Sequence, residues 1–102
     1  MTKAQRRFIE TWQKTLRIQD WNITVKEKRF KSKHQAGATL TYPKFMDATI
    51  WLKPGLSKRE FRRTAVHELL HVRFSMMSFQ DGSALEHELE IGIEVLTRIL
   101  LK

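Results

Sequence analysis

The most specific chemistry in the chain lies in five consecutive residues, His67-Glu68-Leu69-Leu70-His71. On a helix, residues i and i+4 stand one turn apart on the same face. Two imidazoles at that spacing can share one Zn2+ at about 2.0–2.1 Å each. Glu68, next to the first histidine, projects near the open coordination position, where a carboxylate can take a proton from metal-bound water. The segment holding the motif is apolar nearly all round in its second half, with Ala65, Val66, Leu69, Leu70, Val72, Phe74, Met76 and Met77. Such a pattern marks a central, buried helix. Leaving polar groups unpartnered there costs roughly several kcal/mol, so His67, Glu68 and His71 call for partners.

A catalytic zinc site takes a third protein ligand and leaves the fourth position to water. The last segment offers Glu86, His87, Glu88, Glu90 and Glu94. At 100° per residue, Leu85, Leu89, Gly92, Ile93, Leu96 and Leu100 share one broad face, widened by Val95 and Ile99. Glu88 falls inside that apolar sector, and a carboxylate on a core-facing stripe needs a counter-charge or a metal. Glu88 is the expected third ligand, with Gly92 one turn later allowing close approach of the two helices. His87 is its rival, since imidazole also suits zinc. Glu90 and Glu94 read as a solvated face, and Glu86 as the capping partner of Ser83.

The elements that must position these groups are legible from capping and periodicity. Residues 2–18 read as a helix opened by a Thr2/Gln5 capping box, with Phe8, Ile9, Trp12 and Leu16 on one face. Trp21, Ile23 and Val25 alternate with polar residues, as do Ala38, Leu40 and Tyr42, and again Ala48, Ile50 and Leu52. These are strand patterns. Pro43 ends the second strand and Pro54-Gly55 turns the chain after the third. Ser57 with Glu60 opens the motif helix over about 57–77; Gln80-Asp81-Gly82 is a turn; Ser83 with Glu86 opens a final helix. The expected class is α+β: an N-terminal helix, a small mixed β-sheet, the HExxH helix and a C-terminal glutamate helix.

The chain has 102 residues, no cysteine and a formal net charge of +8. That length predicts one domain, residues 1–102, expected to be a monomer. The lack of cysteine excludes a disulfide framework and any cysteine-only zinc module. No apolar run reaches the 18 or so residues of a membrane span, and no signal-peptide stretch follows Met1, so the expected setting is cytoplasmic with no membrane partner. The basic balance favours anionic partners. Lys26, Lys28, Arg29, Lys31 and Lys33 form one cluster, and Lys58, Arg59, Arg62 and Arg63 another. Both could meet nucleic-acid phosphates, with Phe30, Phe45 and Trp51 available for stacking, although no nucleic-acid recognition module is recognisable.

With these residues and this order of elements, the chain resembles the zincins, and more narrowly the small single-domain gluzincins, in which HExxH on an active-site helix is followed by a ligating Glu on the next helix. The resemblance implies His67 and His71 as ligands, Glu68 as general base, Glu88 as third ligand and one catalytic Zn2+. It also implies hydrolysis of a peptide or protein substrate. The metzincin pattern HExxHxxGxxH is excluded, because Phe74 and Met77 stand where Gly and His are required. The Spartan-type DNA–protein crosslink proteases are similar in their basic character and use a third His, which here corresponds to His87. A basic nucleic-acid-binding domain with structural zinc is the alternative function.

In zincins the strand nearest the active-site helix binds substrate backbone, and Asp47 to Leu52 is the expected counterpart if it is an exposed edge. Tyr42 and His34 are oxyanion donors by residue type only. Tyr42 through Met46, large and partly apolar, is the candidate for a segment lying over a cleft.

Overall fold

The computed structural model describes residues 1–75 and 84–102, and of residues 84–87 the backbone only. The elements run α1 (Lys3–Thr15), β1 (Asn22–Glu27), β2 (Gly37–Tyr42), β3 (Asp47–Leu52), α2 (Lys58–Arg73) and α3 (Ala84–Leu100). Three helices and a three-stranded mixed sheet make the α+β class expected. The second turn expected at Gln80-Asp81-Gly82, the Ser83 cap, and Met76 and Met77 lie outside the described residues.

α1 opens with the Thr2/Gln5 capping box in full, each side chain bonding the other's backbone N–H at 3.0 and 2.9 Å. It ends three residues before the expected Ile18. Arg17 adopts a left-handed φ of 59°, a backbone state that usually closes helices at Gly or Asn. The Gln13 side-chain amide donates to the carbonyls of Ile18 and Trp21, which satisfies the polar backbone as the chain turns into β1. α2 starts at the Ser57 cap, whose Oγ accepts from the Glu60 N–H at 3.2 Å. It closes at Phe74 rather than at 77.

The sheet order is β1-β3-β2, with β3 parallel to β1 and antiparallel to β2. β3 is therefore central, so Asp47 to Leu52 does not supply the exposed edge on which its role as a substrate strand is conditional. Ala48, Ile50 and Leu52 are buried under the helices while Thr49 and Trp51 face outward. On β2 the register sets Gly37, Thr39 and Thr41 on the helix side, opposite Leu52, Ile50 and Ala48. Leu40 and Tyr42 point to the outer face and are exposed. β2 is the edge strand that α2 crosses. The link from β2 to β3 is a single 3-10 turn, Pro43–Phe45, closed by Met46 at φ 50°.

The main core joins Ile9, Ile18, Trp21, Ala48, Ile50, Leu52, Phe61, Ala65, Leu69 and Val72. A second cluster, Val66, Leu70 and Ile93, holds α3 against α2. The core line of α3 runs through Ile93 and Thr97, both fully buried. The broad sector read from hydropathy does not turn inward as a whole: Val95, Leu96, Ile99 and Leu100 are exposed. A Cβ on Gly92 would meet nothing within 4 Å, so this glycine is not the point of close approach. Among the described residues, no helix is long and apolar enough to cross a membrane.

Candidate metal centre

His67 and His71 stand on the α2 face that meets α3, half-buried and one turn apart, with their Nε2 atoms 3.3 Å from each other. Glu90 of α3 closes the group. Its Oε1 lies 3.1 Å from His67 Nε2 and its Oε2 lies 3.2 Å from His71 Nε2. These three residues could hold a metal ion, their ligand atoms lying within 4.8 Å of one another. For bonds of 2.0–2.1 Å, the edge of a coordination tetrahedron is about 3.3 Å, close to all three spacings. The Glu90 side chain is 55% exposed, so the group opens to solvent and leaves room for further ligands.

A second carboxylate fixes the first histidine. Glu94 Oε2 lies 3.0 Å from His67 Nδ1. An ionised carboxylate only accepts hydrogen bonds, so Nδ1 carries a hydrogen, and in the neutral ring the Nε2 lone pair is then aimed at His71 and Glu90. Histidine ligands commonly have such a carboxylate behind them. The Arg63 guanidinium hydrogen-bonds Glu94 and holds its carboxyl below the usual range, helped by His67 and Arg98 and opposed by partial burial.

Glu68 meets β2 of the sheet and is only 6% exposed. The Thr39 hydroxyl of β2 donates to its Oε1 at 2.9 Å. Burial pushes the Glu68 carboxyl above the ordinary value of 4.5, against the pull of the Thr39 hydrogen bond and of His71 and His67. Gly37 makes this contact possible. A Cβ there would sit 2.8 Å from Thr64 Cγ2 and 3.1 Å from Glu68 Cγ.

Of the residues expected from sequence, His67 and His71 come together, with Glu90, while Glu68 is held on the sheet side by Thr39. Glu88 does not join them: it is exposed, because the core line of α3 through Ile93 and Thr97 turns Glu88 outward. The carboxylates read as a solvated face, Glu90 and Glu94, are the ones that meet the histidines. The His87 side chain lies outside the described residues. Tyr42 is on the outer sheet face, turned from α2, and His34 is in the exposed β1–β2 connection. One signal for Glu90 and Glu94 was present in the sequence. Their i, i+4 spacing repeats that of His67 and His71, so each pair can present two groups to the other helix. Thr39 and Gly37 had no such signal, because their role depends on which face of β2 turns inward.

Comparison of the chain with family models, with curated proteins and with solved structures found no match, so the chemistry of the site is read from its own residues.

Proposed function

We propose that the chain is a zinc-dependent metallopeptidase in which His67, His71 and Glu90 hold the metal and Glu68 is the general base and acid. One observation carries this reading. Two Nε2 atoms and a carboxylate converge at 3.1–3.3 Å, so that with both rings neutral and their Nε2 atoms unprotonated three ligand atoms among the described residues face one point, where a cation fits. The two-histidine, one-carboxylate donor set suits zinc and leaves a position open. The order of elements, with the HExxH helix under a mixed sheet and a glutamate-bearing helix after it, supports the likeness to small gluzincins.

When bound, zinc supplies Lewis acidity toward a water molecule and a carbonyl oxygen. The chain's own residues do the rest. Glu68 takes a proton from the attacking water and returns it to the leaving amine. Its burial raises its proton affinity above that of an ordinary glutamate. The Thr39 hydroxyl holds Oε1 and so fixes the direction of the carboxylate. Thr39 belongs to the edge strand β2, whose far side pairs with no strand among the described residues. An extended peptide can add to that edge, which brings its backbone beside Glu68.

The test is zinc content and peptide cleavage in wild type and Glu68→Gln. The expected result is about one zinc in both proteins, with turnover falling at least about 100-fold in Glu68→Gln. A Glu68→Gln protein as active as wild type, or a wild-type chain that takes up no zinc when supplied with it, overturns the reading.

A further inference from the structure

A cleft of about 970 Å³ lies between α1, the first half of α2 and the end of α3, away from the histidines. Six cationic side chains line it: Lys58, Arg59, Arg62, Arg63, Arg98 and Lys102. No acidic residue is among its lining. Glu94 pairs with Arg63 and Arg98 from outside the cleft. Lys58, Arg59, Arg62 and Lys102 have no carboxylate within ion-pair distance among the described residues. Glu60, the one acid in the first turns of α2, does not face the cleft. Cations gathered in one concavity repel each other, and an anion placed there relieves that repulsion.

The floor adds a second property. Phe8 and Trp12 line it, half-buried, with ring centroids 6.2 Å apart. The Arg62 guanidinium lies 5.5 Å from the Phe8 centroid. A cationic wall over an aromatic floor matches a ligand with phosphates along one side and flat rings along the other. A duplex turns its bases inward and offers phosphates alone, which leaves the floor unused. A bilayer surface meets exposed faces better than a concavity.

We propose that this cleft binds single-stranded nucleic acid, its phosphates along Lys58, Arg59 and Arg62 and an unstacked base against Phe8 and Trp12. The proposal does not require a metal at the histidines.

The test is fluorescence anisotropy of a labelled oligothymidylate with the full chain, across a salt series. Arg59→Ala/Arg62→Ala is compared with Lys31→Ala/Lys33→Ala, which removes the same charge from the β1–β2 connection. All four positions are exposed, and circular dichroism checks the fold of both variants. The cleft pair is expected to weaken binding at least about 10-fold and to lower the salt slope by about 1.4, the value for two phosphate contacts on a single strand. The loop pair is expected to change affinity less than about 3-fold. Equal losses in the two variants overturn the cleft as the site. A duplex of the same length that binds as tightly overturns the single-strand assignment. Binding to phosphatidylglycerol vesicles without binding to the oligonucleotide overturns the proposal as a whole. Bound oligonucleotide is expected to quench tryptophan fluorescence in wild type and less so in Trp12→Phe. An equal quench in both, or none, overturns the seating of a base on the floor.

Discussion

Glu94 Oε2 sits 3.0 Å from His67 Nδ1, so the carboxylate of one helix sets which nitrogen of the other helix's histidine is free. Removing it leaves the three proposed ligands in place but frees the ring of His67. Glu94→Ala is expected to weaken zinc binding about 10- to 100-fold, the usual cost of losing a partner behind a ligating histidine. Competition with a chromophoric chelator measures it. An affinity equal to wild type would remove Glu94 from the site.

The third ligand is decided by comparing Glu90→Ala with Glu88→Ala and His87→Ala. Glu90→Ala is expected to lose most of the bound zinc after dialysis. Glu88→Ala is expected to retain it, since Glu88 is exposed on the far side of α3. Zinc lost with His87→Ala and kept with Glu90→Ala would shift the site to a three-histidine arrangement.

The motif itself was legible in the sequence because it is local. Spacing along α2 fixes His67 and His71 on one face whatever lies opposite, and the caps at Thr2 and Ser57 are set by near neighbours. What lies opposite is tertiary. Hydropathy put Val95, Leu96 and Ile99 in the core sector of α3, yet they are exposed, and that rotation of the helix is the whole difference between Glu88 and Glu90 as ligand. Likewise the alternation in β2 names two faces without choosing between them. The choice falls to the smaller face, Gly37, Thr39 and Thr41, because α2 passes too close for leucine and tyrosine. The central place of β3 follows from pairing across the sheet, to which no residue within β3 is a guide.

Glu68 gives a pH-dependent stability with a definite sign. Burial raises its pKa in the folded chain above the 4.5 of an ordinary glutamate. A raised value means that the stability gained by the protonated form is fully present below about 4.5 and is lost as pH rises through the folded value. In chelator-treated protein, Glu68→Gln is expected to melt higher than wild type at neutral pH, by roughly 1 kcal/mol or about 4–8 °C for a domain of this size. The gap should close as pH falls toward 4. A gap independent of pH would mean that the carboxylate is not paying a burial cost.

Glu94 has the opposite sign. The Arg63 hydrogen bond lowers its pKa, so its contribution is present above about 4.5 and is lost as pH falls through the lowered folded value. Thermal melts of Glu94→Gln, also metal-free, are expected to converge with wild type in acid and to fall below it at pH 6. The effect is modest, since the pair is partly solvated.

Gly37→Ala tests the contact between β2 and α2. The new methyl group meets Thr64 Cγ2 at 2.8 Å, and a β-branched side chain has little freedom to yield. A loss of about 1–3 kcal/mol is expected from overpacking, read by urea denaturation. Thr64→Ser removes the offending methyl, so the double variant should recover much of the loss. Absence of any recovery would place the cost of Gly37→Ala elsewhere.

Arg63 lines the cationic cleft and also holds Glu94, which in turn holds His67. One guanidinium is thus shared by the cleft and the Glu94–His67 pair. An anion that draws Arg63 into the cleft leaves Glu94 less neutralised, and a less neutralised Glu94 makes His67 the better electron donor. Thermodynamic linkage would make any such coupling mutual: a cation at the histidines would then favour an anion in the cleft by the same free energy. Were both proposed occupants bound, they would be coupled through a single side chain, with no change of backbone shape required.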